Sequence, residues 1–150
     1  MVHKYAEPLP QLYESDETAW LDTMAELIHA GRLADLDYPH LAEYLEDMAR
    51  RDRREVASRL KVLLTHILKW IYQQQKRSAS WQVTVLDQQD ELDDLLESGV
   101  LRAHAEQSLS ATYQKAVKRA SVETKIPFRT FPVECPWTLD QLLSAKLLDK

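Results

Sequence analysis

The sequence is poor in residues that turn a chain. Glycine occurs twice and proline six times in 150 residues, too few for the many short strands of an all-β domain, each of which needs a turn. Long helices are the natural alternative. The single cysteine, Cys135, rules out a disulfide within the chain and suits a reducing compartment. No apolar run approaches the roughly 18 residues of a membrane span, and residues 1–11 lack the pattern of a secretion signal. With a formal net charge of −5, the chain also lacks the basic balance expected of broad phosphate-backbone binding. No glycine-rich phosphate loop and no serine elbow occur. These absences predict a cytoplasmic protein, without membrane or nucleic-acid partners, that is not on first reading an enzyme.

What is present is ordinary for a soluble globular chain: 45% apolar and 29% charged residues. The length suits one helical domain over residues 1–150, with residues 1–12 loosely ordered, and buries roughly 70% of the surface of the unfolded chain. Ser15 or Asp16 can cap a first helix, in which Trp20, Met24, Leu27 and Ile28 recur at helical spacing and which Gly31 stops. After a connection over 32–38, Pro39 suits the first turn of the next helix. Leu41, Leu45, Met48, Val56, Leu60, Leu63, Ile67 and Ile71 then form one stripe. A straight helix over 39–75 would be about 55 Å long. The stripe is weakest at Asp52, which has capping-box spacing to Glu55, so a bend or break is expected within 49–53.

A third helix is expected to start near Ser80 and end near Ser98-Gly99, with Trp81, Val85, Leu92, Leu95 and Leu96 inward. A fourth carries Leu101, Ala105, Leu109, Tyr113, Ala116 and Ala120 on one side. In "KIPFRTFPVECPW", residues 125–137, three prolines break helicity and predict an extended strap. Thr138 and Gln141 have the spacing of a capping box and open a short final helix. The fold class is therefore all-α: an up-and-down bundle with one long, bent helix and a proline-containing C-terminal strap ending in a short helix.

The segments "HLAEYLEDM", "LLTHILKWIYQ", "RSASW" with Thr84 and Gln88 after it, and "TFPVECPWTLDQLL" resemble, in order, the bacterial family of domain of unknown function 29. The resemblance runs from about Tyr13 to Leu143 and implies an all-helical cytoplasmic protein with no assigned activity. Three positions depart from the family pattern. Glu43-Tyr44 stands where paired glutamates are usual, Ala49-Arg50-Arg51 where Gly-Arg-Ser is, and Gln73-Gln74 where Gln-Pro is.

Two constellations carry possible chemistry. Glu43 and Glu46 share a helix face, and a fold-back near residue 50 would bring them toward His66. Two carboxylates and an imidazole can hold a metal or act as an acid–base pair with hydrolytic potential. Otherwise His66 is a core histidine with a fixed tautomer. No cofactor is expected beyond such a metal ion. Arg77, Ser78 and Ser80 precede a helix start, where free N–H groups favour anions; the alternative is that they only cap and tie the turn. Cys135, beside Glu134 and Pro136, reads as structural. Charge is also uneven: residues 50–61 hold six bases and two acids, and residues 82–101 hold six acids and no base. Complementary blocks of this kind pair within a fold or between subunits. They favour an interaction module whose partner is a homodimer mate or another protein.

Overall fold

The computed structural model describes residues 7–150, an all-α chain. Among the described residues, six α-helices follow in order: α1 (Leu9–Ser15), α2 (Glu17–His29), α3 (Tyr38–Tyr72), α4 (Ala79–Leu95), α5 (Gly99–Thr124) and α6 (Leu139–Leu142). The chain divides into two compact units, with the boundary between Arg50 and Arg51 inside α3.

In the first unit, Asp16 caps α2 by accepting from the Ala19 N–H at 3.1 Å, a bond that supplies one of the partners missing in a first helical turn. Gly31, at φ 71°, ends that helix in the left-handed region open to a residue without Cβ. Residues 32–38 contain a single 3-10 turn, Leu33–Asp35. Leu9, Leu12, Ala19, Trp20, Met24 and Leu27 form the core, and Tyr13, Leu36, Leu41 and Tyr44 pack against it. The expected loose order of residues 1–12 is replaced from Leu9 onward by α1, which buries Leu9 and Leu12; the rest of that expectation falls on residues 1–6, outside the described residues. Leu45 and Ile28 point outward, at 61% and 48% exposure. Leu45 sits at the edge of the arc that Leu41, Tyr44 and Met48 define, so one covering layer does not reach it.

Helix α3 shows no break over 49–53. No glycine or proline follows Pro39 within it, and the pairs Asp47–Arg50 and Glu55–Arg59 reinforce it on either side of Asp52. The capping potential of Asp52 goes unused because propagation of a formed helix is easier than a restart. The helix ends at Tyr72, followed by a 3-10 turn at Gln74–Lys76.

The core of the second unit takes Val56, Leu60, Leu63, Leu64, Ile67 and Leu68 from α3, Val85, Leu92 and Leu96 from and just after α4, and Ala105, Tyr113, Ala116, Val117 and Ala120 from α5. Alanines at 105, 116 and 120 allow close approach of the α5 backbone. Ser78 and Ser98 cap α4 and α5, each worth about 1 kcal/mol. The strap after α5 begins with Lys125 in the left-handed region, at φ 61°, and includes a 3-10 turn at Phe128–Thr130. It is held to α5 by Tyr113 Oη donating to the Pro132 carbonyl at 2.7 Å and Gln114 Nε2 to that of Val133 at 2.7 Å. The expected capping box of Thr138 and Gln141 opens α6. Buried Gln89 donates to the carbonyls of Leu142 and Ser144, at 2.8 and 3.1 Å, tying α4 to the chain end.

Candidate functional site

Glu43 and Glu46 are exposed on the α3 portion of the first unit, while His66 is half-buried on the portion in the second. The helix break on which their approach depended is absent. His66 Nδ1 lies 2.9 Å from the Val62 carbonyl oxygen, so this nitrogen carries the proton and donates back along its own helix. Burial pushes the imidazole below its ordinary pKa; the bond to Val62 opposes this, Lys69 and Arg119 lower it further, and Glu123 raises it. Burial thus favours the neutral form of His66, and the bond to Val62 fixes its tautomer with the proton on Nδ1. Among the described residues, no group of three or more His, Cys, Asp or Glu is placed to hold a metal ion.

Arg77 is committed to the fold. Its Nε donates to the Trp70 carbonyl at 2.8 Å and its Nη2 to that of Lys150 at 2.5 Å. The guanidinium lies 4.5 Å from the centre of the Trp70 ring, and Trp70 Nε1 donates to the Leu148 carbonyl at 3.1 Å. The planar fork of arginine suits this combination of stacking and donation. Ser78 accepts from the Trp81 N–H as the cap of α4, and Ser80 is exposed. Lys69 pairs with Glu123 at 3.4 Å and lies 4.5 Å over Trp81. Burial pushes the Cys135 thiol up, away from thiolate reactivity.

A polar cluster that the sequence reading missed lies in the first unit. The fully buried Trp20 donates Nε1–H to Asp37 Oδ2 at 3.1 Å, and His40 Nδ1 lies 2.7 Å from the same oxygen. Tyr13 stacks on His40 with centroids 4.3 Å apart and meets Trp20 edge-on at 4.7 Å. His40 Nε2 faces outward, 3.9 Å from Glu14 Oε1. Asp37 thus fixes the ring so that Nε2 is the outward nitrogen. The only local sign was the Asp-x-x-His spacing across the start of α3.

The charge blocks meet at Arg59. Arg59 holds Glu55 at 2.9 Å along α3 and reaches Glu91 of α4 at 3.7 Å and Gln88 at 3.3 Å. Asp87, Asp90, Asp93, Asp94 and Glu97 are exposed and make no ion pair among the described residues; the same holds for Arg51 and Arg54. Val83 and Leu86, 53% and 37% exposed, continue the acidic face of α4 toward its N-terminus. No described helix is long and apolar enough to cross a membrane.

Compared with known proteins, residues 12–148 match the family model described as Domain of unknown function DUF29. No curated protein and no solved structure matches the chain.

Proposed function

The chain belongs to the DUF29 family, a membership that carries no activity, and from its surface we propose that it is a helical protein-interaction module whose partner is a second copy of itself. The observation that supports this is uncompensated charge of both signs in one unit. Arg59 reaches the acidic block of α4 through Glu91, while five carboxylates of residues 87–97 and the guanidiniums of Arg51 and Arg54 have no ion-pair partner among the described residues. A two-fold pairing sets the basic turn of each copy against the acidic face of the other, using the same contact twice. Exposed Val83 and Leu86 supply apolar area beside the charges, since ion pairs alone add little affinity.

The test is sedimentation equilibrium of the full chain at low and high salt, with charge-reversed variants. The wild type should be dimeric at tens of micromolar and weaken as salt rises. R51E/R54E and D90K/D94K should each be monomeric, and an equimolar mixture should form a heterodimer, because each reversal restores the pairing that the other lost. A wild type monomeric throughout, or a mixture that stays monomeric, would refute the proposal.

A further inference from the structure

We propose that the furrow between α3 and α5 in the second unit binds a phosphate group through Ser58 and Lys61 of α3 and Thr112 and Lys115 of α5. The two helices lie side by side here: Lys69 and Glu123 bridge them at 3.4 Å, and two turns toward their N-termini Ala57, Ser58, Lys61, Thr112 and Lys115 line a cavity of about 140 Å³. That volume is far below the ~300 Å³ at which sites begin to enclose a drug-sized ligand. At about 30 Å³ per water molecule, it suits a group of some five heavy atoms. No carboxylate lines it. Neither ammonium has an ion-pair partner among the described residues, and Arg54, one turn before Ser58 on the same side of α3, adds to the positive field.

Thr112 is the informative residue. It is only 6% exposed. The other buried helical threonines all return their hydroxyls to the carbonyl four residues back: Thr23 to Ala19 at 2.8 Å, Thr65 to Lys61 at 2.7 Å and Thr124 to Ala120 at 2.7 Å. The Thr112 hydroxyl makes no hydrogen bond among the described residues. No fully buried side-chain polar atom there lacks a partner, so this hydroxyl keeps some exposure, on a residue that lines the cavity, and is free to donate to a ligand. The Ser58 hydroxyl is likewise uncommitted. Two ammonium groups and two free hydroxyls around a small recess form a donor set for an oxyanion with several acceptor oxygens, and lysines serve such a group as point charges.

The phosphate can be free or carried on a small ester; nucleic acid is a separate outcome. Isothermal titration calorimetry with inorganic phosphate, phenyl phosphate and acetate, on the full chain, tests the assignment. Phosphate or its ester should bind one per chain, with acetate at least tenfold weaker. K61Q and K115Q should each weaken binding about tenfold, and K118Q, outside the cavity, should not. T112V should weaken binding severalfold without lowering Tm in phosphate-free buffer, because no bond in the fold is lost, and T112S should bind as the wild type does. Absence of phosphate binding up to 10 mM, unchanged binding in K115Q and T112V, or a preference for single-stranded DNA over phenyl phosphate would overturn the proposal.

Discussion

Removing the Asp37 carboxylate should destabilise the first unit far more than neutralising it. Oδ2 of Asp37 accepts from both Trp20 Nε1, at 3.1 Å, and His40 Nδ1, at 2.7 Å. In D37A the Trp20 N–H, on a side chain with no exposure, has no acceptor and no water, a loss of about 1–3 kcal/mol. His40 is partly exposed, 23% by side chain, so water replaces part of its bond and about 1 kcal/mol more is lost. The sum is about 3 kcal/mol. In D37N an amide oxygen placed where Oδ2 sits accepts both bonds through its two lone pairs. What goes is the charge assistance, about 1 kcal/mol. The assay is hydrogen exchange read by peptide over residues 16–48, which reports opening of this unit separately from the second. A double-mutant cycle with W20F isolates the indole bond: D37A should cost 1–3 kcal/mol less, by about the value of that bond, where no N–H remains to be stranded. If D37A and D37N lower protection equally, or if the W20F background leaves the cost of D37A unchanged, the buried bond does not carry the stability assigned to it.

His66 and Tyr113 give opposite pH signatures. Burial holds the folded pKa of His66 below its ordinary value, so the unfolded chain binds the proton more readily and stability falls with acidification. The loss begins near the ordinary value of about 6.5 and continues as pH drops through the lowered one. H66Q should flatten this part of a urea-melt series, and equal pH slopes in the two proteins would refute the assignment. Burial pushes Tyr113 up to about 12, with Cys135 and Tyr72 adding to the shift. The folded chain therefore holds that proton more tightly, and stability declines as pH rises above the ordinary tyrosine value of about 10. Y113F should lose about 1 kcal/mol at neutral pH with its bond to Pro132 and unfold less steeply with alkali. Exchange at residues 131–135 should rise in that variant, and unchanged protection there would mean that the bond does not hold the strap.

Sequence alone determined what depends on a few neighbouring residues. The cap at Asp16, the stop at Gly31, the box of Thr138 and Gln141 and the stripe from Val56 to Ile67 were all legible, because caps and periodic faces act within one or two turns. The all-α class followed from them and from the scarcity of glycine and proline. Local signals misled at Asp52, where capping chemistry competed with a helix already formed on both sides and lost. Arg77 illustrates the remainder. Its sequence context suited an anion, yet its donors went to the carbonyls of Trp70 and Lys150, the second of them 73 residues away. Only tertiary structure decides such contacts. The register between α3 and α5, which sets Lys61 and Ser58 around the same cavity as Lys115 and Thr112, is decided by how whole helices pack. The meeting of Trp20, Asp37 and His40 on one oxygen is likewise a product of that packing. Beyond the Asp-x-x-His spacing of Asp37 and His40, no spacing along the chain encodes either, because the choice of partner across helices rests on the summed packing of many side chains rather than on any one of them.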